Sequence, residues 1–179
     1  MNTALLIIDV QQALCSGEDE VFESRRVIER INQVSRLARS AQSTVIIIQY
    51  EEQDGPFEYG TEGWALDTDL ETGPADIYAR KTTPDSFHNT ELHALLQARG
   101  IKELVICGLQ SEYCVDSTTR SALALGYPVT LVSDGHSTLD NGIIKAAQIT
   151  AHHNLTLGRI GGYGPAVRVI PAAEVRIQG

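Results

Sequence analysis

Cysteine is scarce in this sequence and follows none of the patterns of cysteine-rich folds. The three cysteines are Cys15, Cys107 and Cys114. They contain no CxxC pair and do not form an even set, so they do not predict a disulfide framework. Free thiols of this kind are typical of a reducing compartment, and we therefore expect a cytoplasmic protein.

Positive charge is also in short supply. The 179 residues carry 14 Lys and Arg against 23 Asp and Glu, which gives a formal net charge of -9 and a pI near 4.9. This excess of negative charge argues against nucleic acid and against an anionic membrane surface as partners. It does not exclude a small anionic substrate, because a pocket can be locally basic.

The sequence has no apolar run long enough for a transmembrane helix. Residues 1–3 lead directly into a predicted strand, with no basic segment before it, so we expect no signal peptide. There are no repeats and no linker-like stretch. Residues 1–179 are therefore predicted to form a single domain that does not enter a membrane.

Two cofactor motifs are missing. The turn after the first predicted strand, VQQA at residues 10–13, lacks the GxGxxG pattern of dinucleotide-binding proteins. The histidines show no metal-ligand spacing. We therefore predict neither a metal nor another cofactor. The five histidines are His88, His93, His136, His152 and His153.

Strands and helices alternate regularly along the chain. Residues 4–10 and 44–50 are continuous apolar runs, typical of strands covered on both faces, and residues 20–41 have helical apolar spacing. A strand-helix-strand unit predicts a parallel sheet with a right-handed crossover. Further helices are predicted at residues 90–99, 115–125 and 142–154, further strands at residues 103–107, 127–133, 155–157 and 166–169, and a turn at residues 134–138.

A long segment at residues 51–79 interrupts this alternation. It is rich in glycine, proline and acidic residues and contains the only tryptophan, Trp64. Loops of this length inside a compact domain are usually functional. We interpret the segment as a wall or lid over a pocket, with a solvated insertion as the alternative, and only residues 76–79 resemble a short strand.

The stretch from residue 103 to residue 126 contains the first candidate for chemistry. It predicts a buried strand, a short turn with Gly108 and a helix that begins near Cys114. Free amides and the positive end of a helix dipole lower a thiol pKa, and the same amides can hold an oxyanion. A thiolate nucleophile and a small buried core residue are both consistent with this context.

Asp9 and Lys81 also follow predicted strands. Asp9 could instead be a turn or cap residue, and Lys81 could be a surface cation. If both converge with Cys114, Lys81 favours the thiolate, and Asp9 accepts the thiol proton and returns it to a leaving group. Cys15 has no comparable surroundings and Cys107 lies within a buried strand, so we rank both below Cys114.

Four motifs occur in a fixed order and cover nearly the whole chain, from residue 4 to about residue 169. Together they resemble the isochorismatase-like cysteine hydrolases, a superfamily that includes nicotinamidases and N-carbamoylsarcosine amidases. The motifs are LLIIDVQ at residues 5–11, RKTTPDSF at residues 80–87, VICGLQSEYCVDST at residues 105–118, and VSD at residues 132–134 with Ser137.

The resemblance implies a three-layer α/β/α domain with a six-stranded, mainly parallel, Rossmann-like sheet. It assigns the roles of general base and acid to Asp9, of electrostatic partner to Lys81 and of acyl-forming nucleophile to Cys114. It also implies a cis peptide bond between Leu109 and Gln110, with the amides of Gln110 and Cys114 facing the oxyanion. A homodimer or homotetramer is expected from the same resemblance.

Two departures from the superfamily favour one type of substrate. Nicotinamidases bind a metal through an Asp and histidines after the second strand, whereas residues 50–60 contain Asp54 but no histidine. Members that cleave the vinyl ether of isochorismate often lack the cysteine. We therefore predict metal-independent hydrolysis of a small amide, carbamoyl or lactam-like C–N bond. Substrate contacts are expected from Leu14, Phe22, Trp64, Phe87 and Tyr113.

Two alternative functions stay open. One is enol-ether hydrolysis with Asp9 as the acid, and the other is a non-catalytic domain in which Cys114 is redox-sensitive or only packs. No motif identifies the substrate. Specificity is expected in the loops at residues 15–22, 51–64 and 136–140.

Overall fold

Six strands form one sheet in the computed structural model, which describes residues 2–177. The strand order is β3-β2-β1-β4-β5-β6, and every neighbouring pair is parallel. The predicted domain extends beyond this range, since Met1, Gln178 and Gly179 lie outside the described residues. The strands are β1 Thr3–Ile8, β2 Thr44–Tyr50, β3 Ile77–Lys81, β4 Glu103–Leu109, β5 Val129–Ser137 and β6 Val167–Ile170.

Helices cover both faces of the sheet, which gives three layers and confirms the predicted fold class. Helix α2 packs on one face, and α3, α4 and α5 pack on the other. No helix between residues 2 and 177 is both long and apolar enough to cross a membrane. The helices are α1 Gln12–Cys15, α2 Ser24–Ser40, α3 Leu92–Ala98, α4 Asp116–Ala124 and α5 Ala146–Arg159, with a π-helical turn at Ser111–Val115 and a 3-10 turn at Ala172–Glu174.

The central strand β1 is apolar throughout because both of its faces are covered. Leu5 and Ile7 pack into the layer that contains α2, whereas Leu6 and Ile8 pack into the opposite layer. All four side chains are fully buried. Burial of such a side chain contributes roughly 1.5–3 kcal/mol, so β1 is a rigid support for the polar residues that follow its carboxyl end.

The structure corrects several predicted elements. Residues 155–157, predicted as a strand, belong to α5, where Leu157 is buried on the same side as Ile149 while Leu155 is exposed. Leu155 and Leu157 are apolar residues two positions apart, which is also the spacing of a strand, and so short a stretch does not distinguish a strand from a helix. Helix α1 was missed because four residues are too few to show a period, and the helix predicted from residue 20 begins at Ser24.

Strand β5 continues through the residues predicted to form a turn. Its last residues include Asp134, His136 and Ser137. Asp134 Oδ1 accepts the N–H of Ala172 at 2.7 Å, and Ser137 Oγ donates to the carbonyl oxygen of Phe22 at 2.6 Å. Polar residues can occupy a buried strand when they are paired in this way. Their partners are distant in the sequence, so local sequence predicted a turn instead of a strand.

His136 is buried at this end of β5 between two polar side chains. Its Nδ1 lies 2.8 Å from Ser111 Oγ, and its Nε2 lies 3.0 Å from Asn154 Oδ1. The pKa of His136 is lowered to about 4, chiefly by burial and also by His153, while the hydrogen bond to Asn154 and the charge of Asp134 oppose the shift. The imidazole is therefore neutral at physiological pH.

Gly108 allows β1 and β4 to approach each other closely near their carboxyl ends. Its φ is +122°, and a Cβ atom at this position would lie 2.1 Å from the carbonyl oxygen of Ile8. No L-residue fits this backbone without strain. The glycine therefore fixes the distance between the strands that carry Asp9 and the π-helical turn.

The insertion at residues 51–76 lies along the carboxyl edge of the sheet. It is anchored by backbone hydrogen bonds from Gln12 N–H to the carbonyl oxygen of Ala65 at 2.8 Å and from Asp67 N–H to that of Val10 at 3.0 Å. It contains neither a helix nor a strand of the sheet. Its position next to the end of β1 favours a wall over a free surface loop.

We predict that Gly108→Ala lowers the free energy of unfolding by about 2–4 kcal/mol, because the added methyl group meets the Ile8 carbonyl oxygen and the left-handed φ is strained. Urea unfolding followed by tryptophan fluorescence measures the effect. Gly161→Ala is the control, since nothing lies within 4 Å of a Cβ there, and its change should be below about 1 kcal/mol. Equal effects of the two substitutions would contradict the close approach.

We also predict a pH-dependent contribution of His136 to stability. The ordinary pKa is 6.5 and the folded value is about 4, so between these values the unfolded chain binds a proton that the folded protein excludes. Stability is therefore lost as the pH falls from 6.5 towards 4. The expected contribution is about 2 kcal/mol between pH 7.5 and pH 5.

Urea unfolding at both pH values tests this contribution. His136→Gln should reduce the pH dependence by this amount, whereas His152→Gln, at an exposed histidine, should leave it unchanged. An unaltered pH dependence in His136→Gln would show that another group is responsible.

Candidate active site

Asp9 and Lys81 form a buried ion pair at the carboxyl edge of the sheet. Asp9 follows β1, and Lys81 is the last residue of β3. Lys81 Nζ donates to Asp9 Oδ2 at 2.7 Å and to the carbonyl oxygen of Thr83 at 3.1 Å. The lysine side chain must cross β2 to reach the carboxylate, because β2 lies between β3 and β1. The structure thus brings together two of the residues singled out in the sequence.

Gln11 holds the backbone around Asp9 in place. Its Nε2 donates to the carbonyl oxygens of Tyr50 and Trp64 at 2.9 and 2.8 Å, and its Oε1 accepts the N–H of Tyr50 at 2.8 Å. Asp9 has a left-handed φ of 52°, and its N–H donates to the carbonyl oxygen of Ile48 at 2.8 Å. Gln11 was not among the predicted site residues, although its place just after the apolar run of β1 was a signal in the sequence; its side chain is fully buried.

Cys114 lies in the π-helical turn Ser111–Val115, which leads directly into α4. Its thiol is free and partly buried, and it interacts with both Asp9 and Lys81. Asp9 Oδ1, the oxygen that Lys81 does not use, is buried and makes no well-aligned hydrogen bond within residues 2–177. The carboxylate of Asp9 thus has one oxygen paired with Lys81 and one that is left without a partner there.

The pKa of the Cys114 thiol is raised to about 12, chiefly by burial and also by Asp9, while Lys81 opposes the shift. The expectation of a lowered thiol pKa is therefore wrong, because burial and the adjacent carboxylate outweigh the lysine. Burial also raises the pKa of Asp9 against the opposing effect of Lys81. For Lys81, burial lowers the pKa, but Asp9 and Cys114 outweigh it and the net shift is upward.

The turn that carries Cys114 begins directly after β4. The peptide bond between Leu109 and Gln110 is cis. The carbonyl oxygen of Gln110 accepts the N–H groups of Tyr113 and Val115 at 3.3 and 3.1 Å, which closes the turn. Gln110 and Cys114, the two residues expected to provide oxyanion amides, therefore belong to one compact turn.

Two of the predicted substrate contacts pack on opposite faces of the sheet. Leu14 lies against the core layer that contains α2. Phe87 lies against the other layer, where its ring stacks on Tyr127 with ring centroids 6.3 Å apart. A single pocket bounded by both residues would have to span the edge of the sheet.

The other three predicted contacts are more exposed. Phe22 and Tyr113 have exposed fractions of 48% and 53%. Phe22 lines a cavity of about 340 Å³ together with Ser137 at the end of β5. Trp64 is half-buried and packs edge-on against Tyr59, with centroids 4.7 Å apart.

The insertion forms the wall of a larger cavity of about 870 Å³ next to Lys81. Tyr50 lines it, and the centroid of the Tyr50 ring lies 5.2 Å from Lys81 Nζ. An anionic group would be repelled there, because much of the lining is acidic. No three His, Cys, Asp or Glu side chains in the described part of the chain are grouped closely enough to hold a metal ion. The other lining residues are Glu51, Glu52, Gln53, Asp54, Glu58, Tyr59 and Thr82.

Comparison with known proteins gives a consistent family. Residues 3–157 match the isochorismatase domain. Two streptothricin hydrolases from Streptomyces noursei are 43% and 39% identical to this chain over 138 residues. These matches cover 76% of this chain and 50% and 55% of the two relatives, so the chain spans about half of their length.

Other relatives match over most of their length. The ureidoacrylate amidohydrolase RutB from Caulobacter vibrioides is 32% identical to this chain, and the match covers 82% of each of the two chains. A crystal structure of an isochorismatase family protein is 34% identical, has a TM-score of 0.86 and covers 94% of this chain and 98% of its own. The sequence match, the parallel sheet and the similarity to solved structures agree, and the chain belongs to the isochorismatase family of hydrolases.

Proposed function

We propose that this protein is a metal-independent cysteine hydrolase that cleaves a small amide, carbamoyl or lactam-like C–N bond. The main supporting observation is the buried pair of Lys81 and Asp9 with the Cys114 thiol beside it. Such a group of titratable residues at the carboxyl ends of parallel strands is the usual site of catalysis in open α/β sheets. The name of the amidohydrolase RutB supports C–N cleavage.

In the first half of the proposed reaction, Asp9 accepts the proton of the Cys114 thiol as the sulfur attacks the carbonyl carbon. The amides of Gln110 and Cys114 stabilise the resulting oxyanion. When the C–N bond breaks, protonated Asp9 gives its proton to the leaving nitrogen, and an acyl thioester remains on Cys114. In the second half, Asp9 takes a proton from water, the hydroxide attacks the thioester, and the thiolate leaves and is reprotonated by Asp9.

Lys81 balances the charges in this scheme. Burial makes an ionised Asp9 costly, and Lys81 opposes this effect, so the lysine favours the carboxylate form that can act as a base. The thiol itself stays protonated, since its pKa is about 12. Asp9 is therefore required to generate the nucleophile during the attack, rather than to maintain a resting thiolate.

Enol-ether hydrolysis is the alternative with a specific supporting observation. Burial raises the pKa of Asp9, which would help this residue to act as a general acid towards an ether. That reaction needs no cysteine nucleophile. A redox-sensing role for Cys114 is disfavoured, because a sensor thiol is accessible and has a lowered pKa, whereas this thiol is partly buried and its pKa is raised.

The first experiment tests the proposed chemistry with a panel of simple amides, N-carbamoyl amino acids and lactams, and with isochorismate. We expect turnover of a C–N substrate and an acyl adduct on the Cys114 peptide by mass spectrometry. Cys114→Ser should reduce turnover at least about 1000-fold. Cys15→Ala is the control cysteine and should retain activity. Cleavage of isochorismate that is insensitive to Cys114→Ser would support the ether alternative instead.

A second experiment tests whether Asp9, Lys81 and Cys114 act together. The rate of Cys114 alkylation by iodoacetamide is measured against pH in the wild type, Asp9→Asn and Lys81→Met. The midpoint of the profile should move to lower pH in Asp9→Asn, because a negative neighbour is removed, and to higher pH in Lys81→Met. Profiles that coincide in all three proteins would separate the thiol from the ion pair.

A further inference from the structure

Behind the Cys114 turn lies a chain of buried hydrogen bonds whose direction can be assigned. Asn154 Nδ2 donates to the carbonyl oxygen of Ser133 at 3.0 Å, so Asn154 Oδ1 faces His136 Nε2 as an acceptor at 3.0 Å. His136 therefore carries its proton on Nε2, and its Nδ1 accepts the hydroxyl proton of Ser111 at 2.8 Å. Ser111 Oγ is then free to accept the hydroxyl of Thr150 at 3.2 Å.

Ser111 lies at the start of the turn that carries Cys114. It follows the cis peptide bond and is the first residue of the π-helical turn that ends at Val115 and contains Cys114. Its side chain is fully buried. Through His136 and Thr150 this side chain is tied to β5 and α5, two elements that contribute none of the proposed catalytic residues. The start of the turn is thus fixed from behind, independently of the ion pair.

The group resembles a Ser-His-Asn relay of a serine hydrolase, but Ser111 cannot be a nucleophile. Such a nucleophile must reach the substrate, and Ser111 has no exposed surface. The imidazole is also almost wholly buried. Any effect of this group on chemistry must therefore pass through the backbone of the turn.

We propose that His136 is a positioning residue for the oxyanion-binding amides of Gln110 and Cys114, and that it acts through its hydrogen bond to Ser111. This inference rests on the proposed function. It assigns to His136 a role that a simple packing residue would not have, because its hydrogen bond holds Ser111, which lies between Gln110 and Cys114 in the chain.

The neutral form of His136 suits this role. Burial lowers its pKa to about 4, so Nδ1 is an acceptor throughout the neutral range. Arg26, Glu23 and Asp134 line the cavity beside the imidazole, and His153 also acts on it. A glutamine at position 136 can make the same two hydrogen bonds as the neutral imidazole, since its carbonyl oxygen can accept from Ser111 while its amide donates to Asn154.

Two reactions of the Cys114 thiol can distinguish a change in the position of the oxyanion-binding amides from a change in the reactivity of the thiol itself. Acylation by p-nitrophenyl acetate forms a thioester through a tetrahedral oxyanion, passes the thiol proton to Asp9 and expels p-nitrophenolate. Alkylation by iodoacetamide forms a C–S bond at a tetrahedral carbon, expels iodide and also passes the thiol proton to Asp9, but it has no oxyanion. If the amides are displaced, acylation becomes slower, whereas alkylation keeps its rate.

Both rates are measured on Cys114 in the wild type, Ser111→Ala, His136→Leu and His136→Gln, together with melting temperatures. In Ser111→Ala and His136→Leu the ratio of acylation to alkylation should fall about tenfold or more. His136→Gln should restore it to within about threefold of the wild type. His152→Gln, at the exposed histidine, is the matched control and should leave the ratio unchanged.

Parallel losses in both reactions that follow the melting temperature would overturn the inference and leave a structural role. An unchanged ratio in Ser111→Ala would also overturn it, and this variant decides the question if His136→Leu does not fold. Failure of the wild type to acquire an acetyl group on Cys114 would instead refute the proposed function, and the inference with it.

Discussion

The site depends above all on one buried ion pair. Transfer of Lys81 and Asp9 out of water costs several kcal/mol per charge, and a pair of this kind persists only where geometry and further hydrogen bonds compensate. Here Lys81 has a second acceptor in the carbonyl oxygen of Thr83, and the Tyr50 ring lies beside its ammonium group. Gln11 fixes the backbone of β2 next to the carboxylate. These contacts stabilise a pair of buried charges that would otherwise destabilise the core.

The ion pair also determines the state of the thiol. Burial and Asp9 raise the pKa of the Cys114 thiol and Lys81 lowers it, while burial raises the pKa of Asp9 itself. The three groups are coupled, so the raised pKa of the thiol depends on the charges of both Asp9 and Lys81. A raised pKa makes a thiol less prone to oxidation, because the thiolate is the reactive species.

Several residues at the carboxyl edge contradict their local sequence rules. A non-glycine residue, Asp9, has a left-handed φ, and polar residues such as His136 and Ser137 lie within a strand. Such conflicts between local preference and fold are expected where function imposes its own geometry. Each is resolved by a distant partner, as with Ser111 and Asn154 for His136. The same few hydrogen bonds therefore hold both the end of β5 and the turn that carries Cys114.

The sequence by itself determined the parallel α/β fold, because continuous apolar runs that alternate with amphipathic helices have few other solutions. It also placed Asp9, Lys81 and Cys114 at or soon after the carboxyl ends of three strands, since each apolar or extended run gives way to polar residues there. Only the tertiary structure decided that Lys81 crosses β2 to reach Asp9, that the thiol pKa is raised, and that β5 continues through a polar segment. These outcomes depend on burial and on partners distant in sequence, and neither is encoded in local spacing.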